Sequence, residues 1–280
     1  MSKSRTIRVV FPEWQGGQIP SYNLGSQLLE FLAPNFNGET IRIPVNPPED
    51  AGEEDTRTIQ GIDGHDAVLK HLRIAKKFIS AHYPDRIVVI GGDCSTMVAP
   101  FHFLSKRYGD EFGLLWLDAH PDLWDGTNNS HYNAMTISAL LGECSPAINR
   151  EITHPIGLEK VHWVGLRSEL NDAIRHLPIA LTQSTPASDA NVSSKSIINW
   201  IHEKGISKLA IHFDLDVLDP NQFTLTAVPE AEGLRLETIA RLCKDLSEVV
   251  DIVGFGVAEH APKQLLNLRN LLEELPLFKG

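Results

Sequence analysis

An α/β fold, with a mostly parallel sheet covered by helices on both faces, is what this 280-residue sequence predicts. Short β-branched or apolar runs such as Arg86-Ile-Val-Val-Ile and Phe112 to Leu117 alternate with segments of helical period, the pattern of repeated strand–helix–strand units. Acidic segments stand at the ends of several of those runs: Asp93-Cys94, Asp118-Ala119-His120-Pro121-Asp122, Asp214-Leu215-Asp216 and Glu259. Strand ends of a parallel sheet share one rim, where ligands of open α/β sheets bind. Carboxylates, a thiol and an imidazole gathered there would repel one another or stay poorly solvated unless cations neutralised them, so the segments predict a metal site, of two ions.

Taken in order, Ile7 to Phe11 reads as the first strand, followed by a loop at Gly16-Gly17. Glu39 to Val45 reads as a second, stopped by Asn46-Pro47-Pro48, and the acidic stretch 46–62 reads as a surface loop. Val68, Leu69, Leu72, Ala75, Phe78 and Ile79 give one apolar face to a helix from Asp66 to His82. The strand from Arg86 stops at Gly91-Gly92, and a helix from about Thr96 to Arg107 follows. Phe112 to Leu117 is a strand, Ala134 to Leu141 a helix and Lys160 to Val164 a strand; residues 182–193 are polar. Ser194 to Glu203 is a helix closed by Gly205. Lys208 to Phe213 is a strand, Leu236 to Leu246 a helix, Val249 to Gly254 a last strand and Leu265 to Leu275 a final helix. No change of composition marks a boundary, so residues 1–280 are expected to form a single domain.

A net charge of −11 argues against a nucleic-acid binder, and no basic amphipathic segment suggests a membrane partner. Nothing after Met1-Ser2-Lys3-Ser4-Arg5 is apolar for long enough to be a signal peptide or a membrane span, so a cytoplasmic protein is expected. Cys94, Cys144 and Cys243 show no paired spacing; the last two read as ordinary small side chains.

Asp118, His120 and Asp122 occupy alternate positions, and an extended backbone would turn all three to one side. Asp214 and Asp216 repeat the alternation. Carboxylates and imidazole are donors for Mn²⁺ and its neighbours. Asp219, before Pro220, reads as a turn-fixing residue, and His212, deeper in its strand, as a core or supporting histidine more than a ligand. Cys94, at a tight strand-to-helix turn, offers a thiolate.

In Gly91-Gly92-Asp93-Cys94-Ser95, Asp118-Ala119-His120-Pro121-Asp122 and Asp214-Leu215-Asp216-Val217-Leu218-Asp219-Pro220 the chain resembles the ureohydrolase family of arginases and agmatinases. The resemblance implies a three-layer α-β-α fold, assembly as a trimer or hexamer, and hydrolysis of a guanidine or amidine C–N bond, usually with release of urea. It implies two divalent ions, Mn²⁺ in most members, bridged by Asp118 and Asp214. His120 and Asp216 would complete one ion, and Cys94 with Asp122 the other. Asp122 would also orient the attacking water, His131 would carry a proton to the leaving amine, and Glu259 would face a small cationic substrate.

Two departures bear on substrate and metal. Cys94 stands where the family normally has histidine; a branch with cysteine at this position resembles the hydroxyarginine hydrolase of cycloserine biosynthesis. A thiolate shifts preference toward Zn²⁺, Co²⁺ or Ni²⁺ and brings N-hydroxyguanidines into view. Only eight residues, Leu123 to Ser130, separate Asp122 from His131, with the bulk of Trp124 expected on the substrate side where arginases place polar groups and Asn129 as one polar contact. Ala227-Val228-Pro229 replaces the family's Gly-Thr-Pro. Both argue against L-arginine as substrate. Formimino or biguanide cleavage is an alternative, as is a metal-binding relative without catalysis.

Overall fold

The computed structural model describes residues 4–168, 170, 174, 176–222, 224–262 and 265. Among these residues eight strands form one sheet: β1 (Thr6–Phe11), β2 (Glu39–Arg42), β3 (Arg86–Gly91), β4 (Phe112–Leu117), β5 (Val161–Val164), β6 (Ser184–Thr185), β7 (Lys208–Asp214) and β8 (Asp251–Ala258). Their order is β2-β1-β3-β8-β7-β4-β5-β6, and every pairing is parallel. The register brings Leu117 opposite Phe213 and Asp214 opposite Ala258, so the carboxyl ends of β4, β7 and β8 finish side by side. The expected α/β architecture is present.

Alternation along each strand builds a layer on either face. Leu114 and Trp116 of β4 join one core with Leu72, Ala75 and Ile79 of helix α2 (His65–His82) and Phe101 and Leu104 of helix α3 (Val98–Tyr108). Leu115 and Leu117 join the other, with Ile197 and Trp200 of the helix Lys195–Glu203 and Ile239 and Leu242 of the helix Leu236–Ser247. All six residues of β4 are buried, as expected of a central parallel strand.

Several elements depart from expectation. A helix over Ser21–Leu32, absent from the sequence reading, follows the Gly16-Gly17 loop. The polar stretch 182–193 contains β6 and a short helix, Ala187–Ala190. β8 runs through Gly254 to Ala258 instead of stopping there. Its glycines are packing devices: a Cβ at Gly254 would lie 2.8 Å from Leu104 Cδ1, and one at Gly256 would lie 2.1 Å from Met97 Sδ. The expected helix Leu265–Leu275 lies, apart from Leu265, outside the described residues. Among the described residues, no helix is long and apolar enough to cross a membrane.

Candidate metal centre

β3, β8, β7 and β4 are consecutive in the sheet, and each acidic segment leaves the carboxyl end of one of them. β3 turns sharply at Gly92, where any Cβ would meet Glu13 O at 1.8 Å. The turn is held by Asp93, whose carboxylate accepts from Ser95 N at 3.0 Å and from Gly17 N at 3.1 Å. Cys94 follows, buried, with Sγ 2.8 Å from Asp214 Oδ2 and 3.4 Å from His212 Nε2. Cys144 and Cys243 are half-buried, away from this rim.

The extended geometry expected for the other two segments does not occur. Past β4 the chain leaves the strand conformation, and Asp122 takes a left-handed φ of +51°. Its carbonyl accepts from Ile137 N and Ser138 N and so starts the helix Thr136–Leu140. Past β7, Leu215–Val217 forms a tight turn in which Asp214 Oδ1 accepts from Asp216 N at 2.7 Å. The carboxylates nevertheless converge. His120 Nδ1 lies 2.8 Å from Asp216 Oδ2 and 3.5 Å from Asp118 Oδ1, while Asp216 Oδ1 accepts from Ala119 N at 3.1 Å. Asp219 plays the expected turn role, accepting from Asn221 N.

A cavity of about 270 Å³ opens over this floor, lined by Cys94, Asp118, His120, Asp122 and Asp214 below and by Tyr22, Asn129, His131, Asn133, Val228 and Glu259 around it. Glu259 is buried at φ +65°; its N–H donates to Gly92 O at 2.6 Å. Tyr22 Oη donates to Glu259 Oε2 and Asn133 Nδ2 to Oε1, each at 2.7 Å. His131 stands at the mouth, half-exposed, with Nε2 3.8 Å from Asp63 Oδ2 and its N–H donating to Asn129 Oδ1. Tyr22, Asn133 and Asp63 were not foreseen as neighbours of the site. Trp124 was expected on the cavity wall but belongs to the core packed against α2 and α3, and is 7% exposed.

The electrostatics call for cations. Burial, followed by the charge of Asp216, pushes Asp118 up to about 8. Burial likewise raises Cys94, Asp122, Asp214 and Glu259, each further raised by neighbouring carboxylates. Burial also opposes ionisation of Asp216, yet His120 beside it holds that carboxyl below its usual range, and His120 is itself raised by its acidic neighbours against the effect of burial. Burial lowers His212 to about 3, leaving a neutral imidazole. Among the described residues, Asp118 Oδ2 and Asp122 Oδ2 are buried without a hydrogen-bond partner. Buried carboxylate oxygens left bare in this way are costly, and divalent cations would satisfy them. Among the described residues, donor groups sit within 4.8 Å of one another in three sets: Cys94, Asp118, His212 and Asp214; Asp118, His120 and Asp216; and Asp214, Asp216 and Glu259. The residues present therefore fit a pair of divalent ions with shared carboxylates.

Comparison with known proteins agrees. Residues 39–267 match the model of the arginase family, and the chain belongs to that family. It is 24% identical to an arginase of Entamoeba histolytica over 243 residues, 84% of this chain and 80% of the relative. To an agmatinase of Neisseria gonorrhoeae it is 26% identical over 202 residues, 71% of this chain and 59% of that one. Other relatives are longer: the chain spans 48% of the arginase of Eremothecium gossypii and 59% of that of Medicago truncatula. The fold superposes on the E. histolytica arginase in complex with L-ornithine with a TM-score of 0.80 at 20% identity, covering 94% and 92% of the two chains. For an arginase from Bacillus subtilis the TM-score is 0.74 at 18% identity, covering 98% and 100%.

Proposed function

We propose that this chain is a metal-dependent hydrolase that cleaves a C–N bond of a linear guanidine or amidine, releasing urea or a related product. One observation carries the reading: Glu259, aligned by Tyr22 and Asn133, faces the same cavity as a cluster of buried metal-donor groups. Two divalent ions, when bound, supply an activated water and stabilise charge on the reacting carbon's substituents. Asp118 and Asp214 would serve both ions, His120 and Asp216 would help hold one, and Cys94 and Asp122 the other. Glu259 accepts N–H bonds from the planar cation and fixes its face toward the floor. Asp122, left bare at Oδ2, orients the water, and His131 passes a proton to the departing amine at the cavity mouth.

Mn²⁺ is the family's ordinary metal; the Cys94 thiol favours Zn²⁺, Co²⁺ or Ni²⁺ at its own position. A homo-oligomer, trimeric or hexameric, a cytoplasmic location and a single domain over 1–280 belong to the same proposal. The substrate argument loses Trp124, which is in the core, and rests on the short 123–130 loop and on Val228 at the wall. Agmatine-like, guanidino-acid or N-substituted guanidines, N-hydroxyguanidines included, are preferred over L-arginine. Formimino compounds and biguanides are the alternatives, and a non-catalytic metal-binding relative is the contrary reading.

The test is a panel of these compounds supplied with Mn²⁺, Co²⁺, Ni²⁺ and Zn²⁺ separately, scored for urea, hydroxyurea or ammonia. Highest kcat/KM on L-arginine would overturn the substrate preference. Fewer than one ion per chain after supplementation would favour the non-catalytic relative.

A further inference from the structure

β7 carries an imidazole into the thiol corner of the site. The His212 side chain has no exposed surface, and its ring lies stacked on Trp116 of β4, with centroids 3.7 Å apart and planes at 26°. Nε2 lies 3.4 Å from Cys94 Sγ, 3.8 Å from Asp118 Oδ2 and 4.0 Å from Asp214 Oδ2. Thiolate and imidazole bound to one zinc ion, at about 2.3 Å and 2.0–2.1 Å with a tetrahedral angle between them, stand roughly 3.5 Å apart. Nε2 thus keeps the separation of a co-ligand from Cys94 Sγ, and both carboxylate oxygens lie within 4.0 Å of it. Asp122, the partner first expected for Cys94, falls in none of the three close donor sets among the described residues.

We propose that His212 is a ligand of the ion held by Cys94, together with Asp118 and Asp214. This rests on the metal-dependent reading above and goes beyond it. The two positions are then chemically unlike. One presents sulfur and imidazole beside the carboxylates of Asp118, Asp122 and Asp214; the other presents Asp118, Asp214, His120 and Asp216, a single imidazole with carboxylate oxygens. Sulfur with nitrogen selects Zn²⁺ or Co²⁺, whereas the oxygen-rich position suits Mn²⁺, so the centre favours two different metals. The ring is held for this by Trp116, and Nδ1 makes no hydrogen bond among the described residues.

The experiment is X-ray absorption spectroscopy of chelator-stripped full chain reloaded with one equivalent of Zn²⁺, alongside a zinc-affinity titration. Wild type and His120→Ala are expected to show sulfur and imidazole on the same zinc. His212→Phe preserves the stacked ring but removes Nε2; sulfur should remain, imidazole scattering should disappear, and zinc affinity should fall at least tenfold. His212→Gln provides the same comparison if the phenylalanine variant does not fold. Wild-type zinc bearing sulfur without imidazole overturns the assignment with no variant needed. So do wild-type affinity, or persisting imidazole beside sulfur, in either His212 variant. Those results leave the hydrolase reading standing, whereas a wild type that takes up no zinc, manganese or cobalt removes both.

Discussion

Tyr22 and Glu259, 237 positions apart, are joined by a 2.7 Å hydrogen bond from the phenol to Oε2. The phenol comes from the first turn of helix α1 (Ser21–Leu32), and the carboxylate from the residue after β8. Asn133 Nδ2 holds the other oxygen, so the carboxylate that would meet a substrate cation has its plane set from both sides.

Tyr22→Phe is therefore expected to weaken cation binding with the metal content intact. A hydrogen bond to a charged group contributes about 1.5–3 kcal/mol, which corresponds to a rise in KM of roughly tenfold or more with a smaller change in kcat. Steady-state kinetics and metal analysis on the same preparation check this. An unchanged KM would show that Glu259 is aligned without the phenol.

Cys94→Ala is expected to weaken binding of one ion, while Cys94→His keeps or raises Mn²⁺-dependent activity, because a neutral imidazole replaces a thiolate without adding charge. Titration of metal content against added Mn²⁺ and Zn²⁺ reads both variants. Cys94→Ala with wild-type stoichiometry and affinity would sink the ligand assignment.

The least replaceable positions should be Asp118 and Asp214. Asp→Asn at either keeps the shape and removes the charge that two ions share. Losses of about 100-fold or more in turnover are expected, accompanied by lost metal; substitutions one layer further out cost ~10–100-fold in comparable sites. Full two-ion occupancy with near-normal turnover in both variants would rule out bridging.

Behind the site, His71 Nδ1 and Glu13 Oε2 pair at 2.8 Å, both side chains almost fully buried. Burial lowers the His71 pKa, but the adjacent Glu13 carboxylate outweighs it and the net shift is upward. A raised folded-state pKa gives stability that is fully present below the ordinary imidazole range and is lost as pH climbs through the raised value. Glu13→Gln should cost about 1–3 kcal/mol near pH 6, with a smaller gap to wild type at pH 9. Urea melts at the two pH values test it; a gap that widens toward alkaline pH would contradict the pairing.

Much of the fold was legible because β3, β4 and β7 are continuous apolar runs and α2 has a clear 3.6 period. The donor groups were legible because each follows a strand end. What the sequence hid has physical causes. Gly254 and Gly256 look like a stop, but they let Leu104 of α3 and Met97 just before it approach β8, which delivers Glu259 to the rim. Helix α1 follows two glycines and contains Gly25, against which His260 O packs at a distance no Cβ would allow; Leu24, Leu28 and Leu32 were the periodic signal available. Tyr22 was hidden with it. Alternate spacing suggested an extended run at 118–122, whereas Asp122 reaches the cavity through a left-handed turn, and the same turn sequence buries Trp124. No local pattern could reveal that His212 would meet Cys94, since their contact crosses from β7 to the end of β3.

The central claim is tested most directly by stripping the protein with a chelator, returning divalent metal in steps, and following urea, hydroxyurea or ammonia release from the guanidine and amidine panel. Release should vanish in the stripped protein and return as the second equivalent binds, and Glu259→Gln should raise KM with metal uptake unchanged. Activity that survives complete metal removal, or no release from any compound with any metal at two ions per chain, would contradict the account.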